Sequence, residues 1–209
     1  QFEGPVTAYE VAAKISEGLA ANAVAAKING ELKDLYTKIQ TDCALEIVTK
    51  HSEADYLHVL RHTASHIMAQ AVLRLWPGTK LAIGPAIERG FYYDFDFATP
   101  ISNEDLAKIE EKMQEIIKED LAIERFTLPR DKALDLMADQ PYKQELINDL
   151  PEDAELSFYK QGEFTDLCAG PHVKSTGVVK HFKLLSIAGA YWRGNEKNKM
   201  LTRIYGTAF

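Results

Sequence analysis

The chain has 209 residues, 46% of them hydrophobic, enough for the core of one large domain or of a small domain joined to a larger one. No apolar run approaches the roughly 18 residues of a membrane span, and the N-terminus lacks the pattern of a signal peptide. The two cysteines, Cys43 and Cys168, suggest no disulfide framework, so we expect a cytoplasmic protein with no membrane partner.

The net charge of −7 argues at first against a nucleic-acid partner, but the charge is unevenly spread. Residues 171–209 carry seven Lys and Arg against one acid, whereas residues 53–170 carry 12 basic and 23 acidic residues. The C-terminal segment is therefore a candidate phosphate-facing surface on an acidic body. An ordinary solvated face is the alternative, and composition alone favours it.

The first 50 residues predict a small domain of their own. Thr7 precedes a helical pattern over residues 8–15, and Gly18 is the expected stop. Two short strands flank Asn29-Gly30, a dipeptide typical of a type I′ hairpin turn, and another strand follows over residues 44–49. This is too little sheet to close a core, so we expect a missing first strand and a chain that starts inside a domain.

A long helix is predicted beyond a polar boundary at residues 51–55, where Ser52 and Asp55 have the spacing of a capping box. The helix should run for about 24 residues and end at Pro77. Its expected buried stripe consists of Leu57, Leu60, Ala64, Ile67, Ala71 and Leu75. His62 and His66 lie beside that stripe, just over one turn apart, so both imidazoles should point into one half-buried space.

The middle of the chain predicts a strand and three helices. Alternating aromatic and acidic residues over 91–97 are typical of a strand. Ser102 and Asp105 should cap an acidic amphipathic helix, and two shorter helices are expected over residues 131–138 and 142–150. We expect this region to be scaffold.

The last part of the chain predicts strands over residues 156–159, 182–187, 190–193 and 200–205. A loop with Asp166, Cys168 and His172 should follow the first of them, and turns at Gly189 and Gly194 should separate the last three. The predicted fold class is therefore α+β, with one long helix packed on a mostly antiparallel sheet.

Two pairs of reactive side chains, His62 with His66 and Cys168 with His172, have the same spacing of four positions. Three imidazoles and a thiolate suit a tetrahedral Zn²⁺ site. Each pair alone is more often structural, and the spacing is not that of a zinc finger. Together the pairs predict one shared functional site.

Acid–base hydrolysis without a metal is the second interpretation of the same residues. A neutral imidazole can deprotonate a water, Asp166 can orient it, and Lys143 can stabilise an anion developing at an ester carbonyl. The structural alternatives are a solvated helix residue for Lys143 and a turn-forming carboxylate for Asp166. Cys168 is a possible nucleophile, but an activated ester requires no covalent intermediate.

Four motifs together resemble the N-terminal half of bacterial-type threonyl-tRNA synthetases, and the resemblance covers the whole chain. The motifs are residues 61–66, residues 84–94, residues 168–173 and the terminal run from Gly189 to Phe209. Residues 1–52 resemble the TGS domain, a small β-grasp fold, without its first strand. Residues 53–209 resemble the editing domain.

The resemblance implies post-transfer editing, the hydrolysis of the ester that joins serine to the terminal adenosine of threonine tRNA. Serine differs from threonine by one methyl group, a difference worth only about 1–3 kcal/mol, so a second site must remove it. The catalytic residues implied are His62, His66, Lys143, Asp166, Cys168 and His172. The substrate-binding residues implied are Gly84, Tyr93, Lys183 and Arg193, and the basic segment adds Lys197, Lys199 and Arg203 as expected phosphate contacts.

The resemblance also bears on cofactors and partners. Related editing domains for mischarged alanine tRNA share the two pairs and bind zinc, whereas the threonyl type is thought to work without it. We expect no metal requirement for editing; a bound metal would be held by His62, His66, Cys168 and His172. Zinc and ATP-Mg are expected only in the synthetic domain, which these residues lack. The expected partners are the acceptor end of threonine tRNA with its seryl-adenosine and the remainder of a homodimeric synthetase.

Two other functions stay open at this stage. The chain could be a zinc-stabilised tRNA-binding module without turnover. It could also be a free-standing trans-editing deacylase, although the TGS-like opening argues against that.

Overall fold

The computed structural model describes residues 2–209; Gln1, the first residue of the predicted small domain, lies outside the described part. The helices are α1 (Ala8–Ile15), α2 (Glu17–Asn22), α3 (Glu53–Leu75), α4 (Asp105–Glu119), α5 (Arg130–Leu136) and α6 (Pro141–Asp149). The strands are β1 (Val6–Thr7), β2 (Ala25–Ile28), β3 (Glu31–Lys33), β4 (Lys38–Ile39), β5 (Leu45–Val48), β6 (Lys80–Leu81), β7 (Ala86–Ile87), β8 (Gly90–Asp96), β9 (Ile123–Thr127), β10 (Ser157–Gln161), β11 (Phe164–Leu167), β12 (Phe182–Tyr191) and β13 (Met200–Ala208).

Within residues 2–209, every pairing between these strands is antiparallel. With the long helix packed on β8 and β13, this confirms the predicted α+β class. None of the helices in this range is long and apolar enough to cross a membrane.

The first 50 residues form a three-stranded sheet, β3-β2-β5, with α1 and α2 beside it and a short β1–β4 pair. The Thr7 hydroxyl accepts the Glu10 N–H at 3.2 Å, and the Glu10 carboxylate accepts the Thr7 N–H at 2.7 Å, so α1 begins at a full capping box. Asn29 and Gly30 take φ angles of 50° and 85°, and the predicted hairpin turn is confirmed.

The predicted stop at Gly18 is wrong. The helix ends two residues earlier, at Ser16, whose extended backbone separates α1 from α2. The Ser16 hydroxyl then accepts the Leu19 N–H at 3.0 Å and starts α2, which contains Gly18. The short strands β1 and β4 were also absent from the prediction, because two-residue strands carry no alternation to detect.

Helix α3 is the central element of the larger part of the chain. Its twelve buried residues cover much more than the predicted stripe, because α4 packs on one side and the sheet β12-β13-β8-β6 on another. The predicted capping box at Ser52 and Asp55 is wrong: Ser52 makes no side-chain cap, and the Asp55 carboxylate instead pairs with Lys27 at 2.7 Å. The Ser102 cap is half formed, since Asp105 accepts the Ser102 N–H at 2.8 Å while α4 begins only at Asp105.

Two predictions for the C-terminal strands are wrong. Strand β12 is continuous through Gly189, which faces Thr202 in the ladder with β13, so there is no turn at Gly189. Asp166 lies on strand β11, opposite Tyr159 of β10, and not in a loop. A buried carboxylate interrupts the apolar alternation by which a strand is recognised, and this hid β11.

The two parts of the chain share a hydrophobic cluster. Val24, Ala25 and Val48 of the small part belong to the same buried cluster as Val59 and Leu60 of α3. Lys27 and Asp55 add an ion pair across the same junction. The small part is therefore packed against the start of α3.

Candidate functional site

Two segments meet at one cluster of side chains, which we call the pocket. Helix α3 presents His62 and His66, and the segment after β11 presents Cys168 and His172. One donor atom from each of these four residues lies within 4.8 Å of the other three. The structure thus brings together the two pairs that the sequence separates by about a hundred positions.

His62 is held at both ring nitrogens. Its Nδ1 lies 3.2 Å from the Pro171 carbonyl oxygen, and its Nε2 lies 3.2 Å from Cys168 Sγ. Because a carbonyl can only accept, Nδ1 carries the proton and Nε2 accepts from the thiol. Burial, followed by the neighbouring His66, lowers the pKa of His62 to about 3, so the ring is neutral near pH 7.

Cys168 is a protonated thiol in this setting. Burial raises its pKa to about 12, even though the Gly170 N–H donates to Sγ at 3.2 Å. The sulfur also lies 3.4 Å from His172 Nε2. A thiol with this pKa is a poor nucleophile near pH 7, so the side chain is suited to shaping the pocket.

Thr63, which sequence reasoning missed, fixes His172. Its Oγ1 lies 3.0 Å from His172 Nδ1, accepts the Val173 N–H at 3.1 Å, and lies 3.2 Å from the Val59 carbonyl oxygen. Thr63 is fully buried. The sequence signal that could have identified Thr63 is its hydroxyl, which lies between His62 and His66 in the predicted helix. The pKa of His172 is well below its ordinary value because the ring is buried beside His62 and His66.

A buried charged cluster lies next to the histidines. Lys143 Nζ is 2.8 Å from Asp166 Oδ1, the Tyr93 hydroxyl donates to Asp166 Oδ2 at 2.6 Å, and His66 Nε2 lies 3.5 Å from the same oxygen. Each of these four side chains is buried. The Lys143 ammonium and the Asp166 carboxylate therefore form a buried ion pair. Lys143 therefore belongs to the pocket although its region was expected to be scaffold.

Asp166 is ionised and His66 is neutral. Burial disfavours the carboxylate, but the positive charge of Lys143 and the hydrogen bond from Tyr93 outweigh burial and lower the pKa of Asp166. Burial lowers the pKa of His66 to about 4, against the opposing effect of Asp166. Burial, followed by Asp166, raises the pKa of Tyr93 well above its usual value, so its hydroxyl stays a donor. His66 Nδ1 has no hydrogen-bond partner among residues 2–209.

Gly84 fits closely against Tyr93. A Cβ at position 84 would lie 2.0 Å from Tyr93 Cδ2, so no larger residue fits without moving the ring. Ser65, also missed from the sequence, holds this segment: its Oγ lies 2.8 Å from the Gly84 carbonyl oxygen and 2.7 Å from that of His62. The Gly84 backbone is thereby tied to α3.

The basic C-terminal segment is largely paired with acids. Within the described chain, Lys183 binds Glu110, Arg193 binds Glu145 and Asp149, Lys199 binds Asp96, and Arg203 binds Asp94. Neither Lys183 nor Arg193 makes a hydrogen bond or ion pair with the pocket residues described above. The excess of basic residues in the C-terminal segment is therefore largely compensated by ion pairs with acidic residues elsewhere in the fold.

The four-residue cluster suits a metal by its donor chemistry. Zn²⁺ bonds of about 2.0–2.3 Å to nitrogen and sulfur place neighbouring tetrahedral ligands about 3.5 Å apart. The Cys168 Sγ distances to His62 Nε2 and His172 Nε2 are 3.2 and 3.4 Å, which is close to that spacing. His62, His66, Cys168 and His172 therefore offer the donor types of such an ion, with their donor atoms within 4.8 Å of one another.

Comparison with known proteins identifies both parts of the chain. Residues 2–49 match the TGS domain, and residues 156–205 match the threonyl and alanyl tRNA synthetase second additional domain. Over its whole length the chain is 61% identical to a threonine–tRNA ligase of Acetivibrio thermocellus, 62% to that of Clostridium acetobutylicum and 58% to that of Clostridioides difficile. The chain spans 33% of the length of each of these relatives.

The fold and the two matches define the class: a TGS domain followed by a synthetase second additional domain. Over its whole length the chain is similar to the N-terminal region of bacterial-type threonyl-tRNA synthetases, at 61–62% identity to two of them. The family resemblance predicted from its motifs is confirmed.

Proposed function

We propose that this chain is the proofreading part of a threonyl-tRNA synthetase and hydrolyses the ester of seryl-tRNA(Thr). The proposal is carried by one observation, the buried Asp166 cluster beside neutral imidazoles contributed by two segments. The full-length enzyme attaches threonine to tRNA(Thr) with ATP, in the cytoplasm and as a homodimer. ATP-Mg and zinc serve the synthetic part, which lies outside these residues.

His66 is the strongest candidate for the residue that holds and deprotonates the attacking water. Its Nε2 faces the Asp166 carboxylate, and its Nδ1 has no partner in the described chain. An imidazole beside a carboxylate, with its second nitrogen without a protein partner, can serve as a general base. His62 is also among the catalytic residues that the family resemblance implies, but both of its ring nitrogens are already engaged.

Lys143 supplies positive charge where the ester would develop negative charge. It is buried beside Asp166, in surroundings where such charge is worth more than in water. The Tyr93 hydroxyl fixes Asp166 and so fixes the direction of the ammonium group. Cys168, as a thiol, lines the serine side of the pocket together with His172.

Phosphate binding by the basic segment must compete with its ion pairs. Lys183, Arg193 and Lys199 are exposed, and exposed pairs contribute only about 0–1 kcal/mol each. An RNA phosphate can therefore replace Glu110, Glu145 or Asp96 as their partner at small cost. We propose this exchange for the acceptor end of tRNA.

Deacylation by the chain tests the proposal directly. Purified chain is mixed with seryl-tRNA(Thr), and with threonyl-tRNA(Thr) as the matched control, and release of the amino acid is followed. We expect hydrolysis of the seryl ester and much slower hydrolysis of the threonyl ester, since the pocket must exclude one methyl group. Equal rates for both, or no hydrolysis of either, would contradict it.

A zinc-stabilised tRNA-binding module is the second candidate, and the close grouping of four donor atoms favours it. Metal analysis set beside the deacylation assay separates the two functions. We propose that the demetallated chain keeps its activity. If activity disappears on chelation and returns with zinc, the metal-free proposal is wrong. A free-standing deacylase is less well supported, because the chain matches ligases over its whole length.

A further inference from the structure

Asp34 joins the small part of the chain to the pocket. It lies just after β3, is buried, and uses each carboxylate oxygen for a different purpose. Oδ1 accepts the Tyr36 N–H at 2.9 Å within its own turn, and Oδ2 accepts from the Tyr159 hydroxyl at 2.9 Å. The turn fixes the carboxylate, so its second oxygen is already oriented towards Tyr159.

Tyr159 in turn touches the 168–172 segment at two points. Its ring stands edge-on to the His172 ring, with centroids 4.5 Å apart. A Cβ at Gly170 would lie 2.0 Å from the Tyr159 hydroxyl oxygen, so the phenol packs directly on the Gly170 backbone. The Gly170 N–H donates to Cys168 Sγ at 3.2 Å. The phenol therefore contacts His172 directly and Cys168 through the Gly170 backbone.

The residues around this contact restrict the movement of the Tyr159 side chain. Lys174 donates to the Ala21 carbonyl oxygen at 2.6 Å, which ties the same segment to α2. A cavity of about 20 Å³ between Asp34, Tyr159 and His172 has room for about one water molecule. The phenol is thus held by the carboxylate at one end and by close packing along its ring.

We propose that Asp34 is a positioning residue for the hydrolytic pocket, acting through Tyr159 to hold Cys168 and His172 at their distances from His62 and His66. The inference rests on the function proposed above. It makes the small N-terminal part a component of the editing site. A hydrogen bond to a buried carboxylate is stronger than one between neutral groups, so its removal should loosen the segment.

Three variants of the chain and one control variant test this proposal by their kinetics on seryl-tRNA(Thr). Tyr159→Phe removes the hydroxyl and keeps the ring against His172. We expect about a ten-fold lower kcat with KM little changed, because the loss of one charge-assisted hydrogen bond displaces the side chains that shape the serine pocket more than it weakens RNA binding. Asp34→Ala should lose at least as much. Asp34→Asn should recover most of the rate, since its amide can bond both the Tyr36 N–H and the phenol.

Lys27→Met is the matched control. It removes the ion pair with Asp55, which also crosses the junction between the two parts but contacts no pocket residue in the described chain. We expect wild-type kinetics. Wild-type kcat in Tyr159→Phe, or an equal loss in Lys27→Met, would overturn the proposal, because the effect would then be absent or would reflect general loosening of the junction.

A readout without substrate separates this inference from the proposed function. In a chain with ¹⁵N-labelled histidine, the ring signals of His172 should shift in Tyr159→Phe and Asp34→Ala, and not in Lys27→Met. If the wild-type chain fails to hydrolyse seryl-tRNA(Thr), the function is wrong while the ring signals still decide the positioning. Unshifted His172 signals in both pocket-side variants would overturn the inference whatever the activity.

Discussion

Lys143 and Asp166 form an ion pair, 2.8 Å apart between Nζ and Oδ1, in which both side chains are buried. Removing one partner of such a pair leaves an uncompensated charge in the interior, which costs about 3–5 kcal/mol of stability. The pair links α6, which carries Lys143, to β11, which carries Asp166.

Single replacements of this pair should be costly and non-additive. We expect Lys143→Met and Asp166→Asn each to lower the free energy of unfolding by about 3–5 kcal/mol, and the double variant to lose less than their sum. Urea denaturation measures this. The exposed Lys108 pairs with Asp105, and Lys108→Met should cost about 1 kcal/mol or less. Additive losses would show that the two charges do not stabilise each other.

His66 should matter more for hydrolysis than His62. For His66→Ala we expect a loss of about 100-fold or more in kcat on seryl-tRNA(Thr), the usual contribution of a general base. His62→Ala should lose about ten-fold, since its ring supports Cys168 and Pro171 by hydrogen bonds. His58→Ala changes an exposed residue of the same helix and should leave kcat unchanged. The opposite order of His62 and His66 would assign the base to His62.

Gly84→Ala should disturb Tyr93. The new methyl group would overlap the ring, so Tyr93 must move and weaken its hydrogen bond to Asp166. We expect a loss of about 1–3 kcal/mol in stability and a lower kcat. Gly78→Ala is the control, because a Cβ there meets no atom within 4 Å. Equal stability of the two variants would mean that the Gly84 segment is free to shift.

Cys168→Ala should keep most of its activity. The pKa of the thiol is raised to about 12, so almost no thiolate is present at neutral pH. We expect a fall of about ten-fold or less, from lost packing and the lost hydrogen bond to His62. Single-turnover deacylation measures it. Complete loss of activity, or a trapped seryl-enzyme, would instead identify Cys168 as a nucleophile.

Stability should fall as the pH drops from 7 to 5. His62 and His66 have native pKa values lowered to about 3 and about 4, and that of His172 lies well below its usual value, whereas unfolded histidine has a pKa of about 6.5. Below pH 6.5 the unfolded chain binds more protons, so stability present above that pH is lost by about 1.4 kcal/mol per pH unit for each histidine.

Urea denaturation across that pH range measures the loss. A flat profile in the wild-type chain would mean that the three rings bind protons to the same extent in the folded and the unfolded chain.

Strong local signals were read correctly from the sequence. The length of α3, the Asn29-Gly30 turn and the apolar face of α4 each follow from short-range rules, because periodicity and turn chemistry act within a few residues. The two histidine-containing pairs were recognisable as a site only in combination, because each pair alone is more often structural.

Features that depend on distant partners were not predictable. Asp166 belongs to a strand only because Lys143 and Tyr93 compensate its burial. Gly189 continues a strand because β13 pairs with it throughout. Thr63 and Tyr159 contact His172, which is distant from both in the sequence. Composition also could not show that acidic residues of the body pair with the basic segment.

The apolar cluster that Val24 and Val48 share with Val59 has a consequence for how the chain is divided. A cut near residue 52 would expose apolar side chains on both pieces. We expect that neither piece would then fold stably by itself. Melting of the intact chain should then proceed in one cooperative step, with both parts lost together. The first 50 residues would then be part of the folding unit that contains the pocket.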